Sequence, residues 1–412
     1  MSSLLKFSEV MFKGVWLVVT VGIILVFSSL WLRHKYLAGL NFPDYSWDLA
    51  LSEKELANSD ITSSDKVELN LLWFGFVFWG RYINDWAMAS PLKEAYPFSR
   101  LSDFEKDKYN AWIAQLDCPI TDRVIDSKTM DQTLMFNCTP NYLPEVSKWF
   151  EVFGLANSHT SNMDGLNGFR TTREYLDKYQ IQYFGHFDKQ YLNEICEVVS
   201  LPVSIVSDKK LTESVNYRFP VAICGYHNTF ALATDEQLSM ISYYAQYFPT
   251  FVVPIQGKEY PTTPDGLQKQ EFRKMIDKGA DVIVGASAHV VQAAEAYKGK
   301  LIFYSLGNFI FDQQFSEPVR SSAVLNTKLT FTVDDNLQRY LELGKVCQKF
   351  ADFCLEKAAM LDLQRPRFTI RYDLLVADNS DRLAKKAQEP IVSIVLQRAN
   401  WPAVLPQLVE EL

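Results

Sequence analysis

Apolar and polar positions alternate along the chain with two different periods. The run "VELNLLWFGFVFWGR" at 67–81 is almost continuously apolar, which predicts a strand, broken at Gly75 and Gly80. "YNAWIAQLDCPIT" predicts a second short strand, stopped by Pro119. Further segments then repeat one order: amphipathic helix, short apolar strand, polar loop. These are "LPEVSKWFEVFGLANSHTSNMDG", "GFRTTREYLDKYQIQYFGH", "EQLSMISYYAQYFPTFVVPIQGKEY" and "LQKQEFRKMIDKGADVIVGASAHVV". The repetition predicts an α/β domain with its strands in the middle, and loops that converge outside their carboxyl ends. Past Asp312 the regular crossovers stop. "SSAVLNTKLTFTV", "RFTIRYDLLVADNS" and "EPIVSIVLQR" predict strands around one helix in "NLQRYLELGKVCQKFADFCLEKAAML", so 313–412 is expected to complete the sheet and cap the same domain. No internal repeat or low-complexity tract interrupts the pattern.

One segment follows neither period. Gly14 to Leu32 carries no charged residue, lies between Lys13 and Arg33, and has Trp16 and Trp31 near its ends. In a helix it is long enough to cross the hydrocarbon core, and terminal tryptophans suit the two interfaces. The alternatives are a buried helix or the core of a cleaved signal peptide, but the run is long for both and no small-x-small cleavage site follows. The expected organisation is a short tail (1–13), a membrane anchor (14–32), a polar linker (33–66) and one domain (67–412). Basic residues flank both ends of the anchor equally, so charge does not fix its orientation.

Composition narrows the class. With 412 residues, 48% of them hydrophobic, the chain can bury a large core. A net charge of −8 argues against a general nucleic-acid-binding surface. Six cysteines include no CxxC pair, which argues against a cysteine zinc site. Cys118 with Cys138 and Cys347 with Cys354 are the favoured disulfides; buried free thiols are the alternative, above all for Cys196 and Cys224. His159, His186, His227 and His289 each follow a predicted strand.

The loop residues carry a resemblance. Gly257 to Tyr260 ("GKEY"), "KGADVIVGASAHVVQ", Glu295 and "YKGKLIFYSLGNFIFD" resemble the C-terminal half of the bacterial poly-gamma-glutamate capsule biosynthesis (CapA-type) family. "GFVFWGR", "QLDCPIT" and "LANSHTSNMDG" look like its earlier blocks, in the same order. The resemblance covers roughly Val67 to Asp312. It implies a calcineurin-like metallophosphatase fold, with two packed sheets flanked by helices and loops that in related hydrolases bind two metal ions. It further implies one N-terminal membrane anchor, a domain outside the cytoplasm, and membrane partners of ligase type that make, export or anchor an anionic polymer.

Against the family pattern several ligand positions are changed. The first aspartate is Phe76, the second block begins at Gln115 and has Asp117 in place of glutamate, and Ser158, Ile255 and Ser287 stand where ligands are expected. Asp117 and His289 remain as candidate metal ligands and His159 as the candidate catalytic residue, with a backbone-bonding role as its alternative. Such a set would hold a single manganese, zinc or iron ion at most, and no bound metal is the favoured expectation. Arg81, Asn157, Glu259, Tyr260 and Asn308 are the candidate substrate contacts. Arg81 suits a carboxylate or phosphate, with an ordinary ion pair as the alternative, and Asn308 is also a candidate turn former. The leading expectation is a capsule-supporting protein with a degenerate metal site. The competing ones are an active metal-dependent hydrolase or transferase, with Asp164, His186 and His227 as replacement ligands, and a structural envelope protein.

Overall fold

The computed structural model describes residues 61–207, 210–348 and 351–411, without the side chains of 210–216 and 352. The expected anchor and most of the linker lie outside the described residues. No described helix is long and apolar enough to cross a membrane.

The fold is mixed α/β, one large sheet flanked by helices. In chain order the strands are β1 (Lys66–Val77), β2 (Ala111–Leu116), β3 (Val152–Gly154), β4 (Gln182–Phe184), β5 (Cys196–Ser207), β6 (Lys210–His227), β7 (Thr250–Ile255), β8 (Val282–Val284), β9 (Ala294–Tyr297), β10 (Lys300–Phe303), β11 (Asn308–Ile310), β12 (Ser321–Thr332), β13 (Phe368–Asp378) and β14 (Lys385–Lys386). The described helices of eight residues or more are α1 (Arg81–Ala89), α2 (Leu166–Lys178), α3 (Asp235–Ala245), α4 (Gly266–Asp277), α5 (Asp335–Cys347) and α6 (Ile391–Arg398).

β1 organises the sheet because its two halves pair differently. The first half lies antiparallel between β12 and β5; the second lies parallel to β2 and β11. One branch runs through parallel β2, β3 and β4, the other through β5 and β6 to parallel β7, β8 and β10. Strands expected in two packed sheets are therefore joined into one branched, hydrogen-bonded sheet. β1 can serve both branches because both its faces are apolar. Val67, Leu69, Leu71 and Trp73 enter one core, and Leu72, Phe74, Phe76 and Phe78 enter another. Gly75 does not break the strand. A Cβ there would lie 1.7 Å from the Gly307 carbonyl oxygen, so glycine is what lets β1 and β11 approach.

The helices preceding β7 and β8 start where side-chain caps dictate. Thr234 and Gln237 form a reciprocal capping box at α3, and the Gln268 amide donates to Asp265 Oδ1 over 2.8 Å at α4. Three expectations need correction. "EPIVSIVLQR" forms helix α6, not a strand: Ile391, Val392, Val395, Leu396 and Ala399 pack on the core at helical spacing. The single helix expected after Asp334 stops at Cys347 and resumes at Cys354–Met360, across the Cys347–Cys354 disulfide. Cys196 and Cys224 are not free thiols: they face each other across β5 and β6 and form a disulfide. Cys118–Cys138 forms as expected, and all six cysteines are paired.

Candidate functional site

Because β2, β3, β8 and β11 run parallel to their neighbours, the loops after them and after β1, β4, β6 and β7 gather at one edge of the sheet. Each of the four histidines singled out above sits there. His159 follows β3, His186 follows β4, His227 closes β6 and His289 follows β8.

Asp117 directly follows β2 and is 1% exposed, with its Oδ2 buried and without a hydrogen-bond partner. Burial pushes its carboxyl above the usual carboxylate range, opposed by the nearby charges of His159, His289 and Arg81 and reinforced by Glu259. Four of the predicted site residues therefore act electrostatically on a fifth. The two histidines that act on Asp117 have a defined tautomer. His159 Nδ1 lies 2.9 Å from Asn162 Oδ1, which also accepts from the Phe136 amide, so the ring donates and Nε2 keeps its lone pair when neutral. His289 Nδ1 lies 2.8 Å from Asn308 Oδ1; Asn308 Nδ2 donates to Gln313 Oε1, and Gln313 Nε2 to the Tyr260 hydroxyl. That chain fixes the His289 ring in the same sense.

Arg81, His289 and Tyr260 also have positive φ angles, 44°, 57° and 74°. Non-glycine residues adopt this region at a cost, and nine other described non-glycine residues share it.

The other predicted contacts divide. Tyr260 and Glu259 are exposed at the rim, and the Tyr260 amide donates to the Ala288 carbonyl. Arg81 is buried and forms a two-pronged ion pair with Asp312, its Nε 2.6 Å from Oδ2. Asn157 holds its own loop: Nδ2 donates to the Leu116 carbonyl, and Oδ1 accepts from the amides of His159 and Thr160. Asn308 is fully buried behind His289. Sequence reasoning did not select Asp312, Gln313, Asn162 or Asn228. The first and third lie inside the quoted blocks, so their position was on view; their partners were not.

A two-metal centre needs several oxygen and imidazole ligands and a bridging carboxylate. Here the position of the first aspartate holds the Phe76 ring, 4.8 Å from the His289 ring. Asp164, a replacement candidate, is instead paired with Arg123. Among the described residues no group of three or more His, Cys, Asp or Glu side chains is placed to hold a metal ion. The donor set does not fit a two-ion centre.

The fold and site define an α/β protein with a polar, partly unsatisfied site at the carboxyl ends of its parallel strands. Residues 70–313 match the family described as bacterial capsule synthesis protein PGA_cap, and the chain belongs to that family. It is 48% identical over 73 residues to the PGA biosynthesis protein CapA of Bacillus subtilis (strain 168), an alignment covering 18% of this chain and 19% of that protein. It is 46% identical over 68 residues to the capsule biosynthesis protein CapA of Bacillus anthracis, covering 16% of each. These alignments thus span under a fifth of either relative. The crystal structure of TT1561 of Thermus thermophilus aligns over 62% of this chain and 93% of its own, at 9% identity and a TM-score of 0.32.

Proposed function

We propose that this protein is a membrane-anchored, extracytoplasmic member of its family that supports synthesis, export or anchoring of an anionic surface polymer such as poly-γ-glutamate. In this reading the domain is a metallophosphatase-type scaffold that acts without binuclear hydrolysis. The observation that carries it is the Phe76 ring against His289, where the family resemblance calls for a carboxylate ligand. A phenyl ring neither ligates a metal nor activates water. The apolar run at 14–32 supports the anchor. Three disulfides with no free cysteine support an oxidising compartment. Family membership and the printed names of the two Bacillus relatives support the capsule role.

Deleting the gene in its host is expected to reduce surface polymer, with complementation by Phe76→Ala and by His289→Ala as well as by the native chain. Loss of complementation by His289→Ala, with two equivalents of manganese or zinc in the purified native protein, overturns the non-hydrolytic reading.

A second reading has one observation in its favour. Asp117 Oδ2 is buried, unpartnered and close enough to His159 and His289 to feel their charge. Because no three such side chains are placed to hold an ion among the described residues, a mononuclear metal-dependent hydrolase would require them to close on the metal, and one tightly held ion, lost on Asp117→Ala, is the result expected of it.

A further inference from the structure

The rim of the candidate site carries two exposed aromatic rings that join no core cluster. Tyr260 is 39% and Phe315 66% exposed. Their centroids lie 5.3 Å apart with the planes at 82°, so the rings meet edge to face and wall one open corner. The Tyr260 ring also lies 6.1 Å from the His289 ring, which sets the corner beside the site. Tyr260 is held at both ends. Its amide donates to the Ala288 carbonyl over 2.8 Å, and its hydroxyl accepts from Gln313 Nε2 over 2.9 Å. The Glu259 carboxylate, exposed next to it, acts on the same hydroxyl through charge and hydrogen bonding. Phe315 and Glu259 thus both reach Tyr260, one at its ring and one at its hydroxyl. Among the described residues no lysine or arginine, exposed Lys258 included, pairs with Glu259 or lies over either ring. Arg81, the cation that acts on Tyr260, is buried and committed to Asp312.

The chemistry of the corner selects its occupant. An anion meets an unpaired carboxylate and two electron-rich ring faces, and both repel it. An apolar partner would bury Glu259 without compensation. A metal ion needs oxygen or nitrogen ligands that a phenyl ring does not supply. A sugar stacks on a ring that is open across its whole face, whereas rings meeting at 82° obstruct each other. A compact organic cation fits: its charge is drawn to the carboxylate and to the ring faces, and its C–H shell fills the angle between them. We propose that Glu259, Tyr260 and Phe315 form a subsite for an organic ammonium group, such as the choline of a lipid headgroup or the amino end of a peptide. The subsite adjoins the candidate site and does not depend on the polymer role.

The test titrates the full-length protein, in a polyoxyethylene detergent that carries neither sugar nor ammonium, with choline, glycinamide, neohexyl alcohol, maltotetraose and glutarate, read by calorimetry and saturation-transfer NMR. Choline stands for the headgroup and glycinamide for the amino end; neohexyl alcohol is the uncharged isostere of choline. At least one ammonium is expected to bind saturably, and about fivefold more weakly in Phe315→Ala and in Glu259→Gln, both with native thermal midpoints. Saturable binding by neither ammonium, or binding unchanged in either variant, overturns the proposal. So does neohexyl alcohol, maltotetraose or glutarate whose saturable binding is lost in Phe315→Ala. The polymer role stands or falls separately, on the complementation result.

Discussion

Asp117 and Asp281 are each 1% exposed, and each borders a parallel strand, but at opposite edges of the sheet. Asp281 precedes β8. Both its oxygens lie 2.6 Å from Arg365 Nη2, Lys300 Nζ lies 3.1 Å from Oδ1, and the Thr250 amide donates to Oδ2 over 2.8 Å. Asp117 follows β2 and keeps a buried oxygen with no partner. At one edge a charge is fully compensated and ties α/β units together. At the other a carboxylate is kept under-satisfied beside His159 and His289. Buried polar groups left in that condition cost stability, which marks the second edge as the one shaped by something other than folding.

The largest effect is expected from breaking the compensated edge. Asp281→Ala strands two cations and a buried amide, and should cost about 4 kcal/mol in urea denaturation. Replacing Cys118 and Cys138 together by serine opens a loop of 20-residue separation next to Asp117 and should cost about 3 kcal/mol. A cost additive with that of Asp281→Ala would show that the two edges are energetically independent.

His186 tests burial at the site edge by pH. Burial lowers its pKa from 6.5 to about 4. The unfolded chain therefore takes up this proton first, so the contribution is complete above about 6.5 and is lost as pH falls toward 4. About 2 kcal/mol should disappear across that window once solvent screening is allowed for, and His186→Phe should flatten the profile.

The smallest effect has the opposite sign. The Asp117 pKa is raised, so its ionisation in the fold costs stability as pH rises past the ordinary 3.8. Asp117→Asn should raise the melting temperature at pH 7, and the gain should vanish as pH approaches 3. A lower melting temperature at pH 7 would place Asp117 with Asp281 as a structural carboxylate.

Much of the fold that carries this contrast was legible in the chain. The strands at Val67, Ala111, Val152, Gln182, Thr250 and Val282 read correctly because apolar, β-favouring runs bounded by polar or glycine- and proline-containing segments have few other solutions. Helix α6 was misread because Ile391, Val392, Ile394 and Val395 favour strands, although residues 391, 392, 395, 396 and 399 also fit one helical face. The histidines were placed correctly at strand ends. What Asn157, Asn308 and Arg81 touch was not readable: each is engaged by a residue fixed by the fold, and for Arg81 that partner, Asp312, is 231 positions away.

The sequence alone determined most of the helix–strand order up to Asp312, the polar strand ends and the family, since these follow from local periodicity and contiguous motifs. Only the tertiary structure decided that β1 fuses both branches into one sheet, that Cys196 meets Cys224, and that Asp281 is compensated while Asp117 is not. Those outcomes depend on which distant backbones share a sheet edge, and no local pattern encodes that proximity.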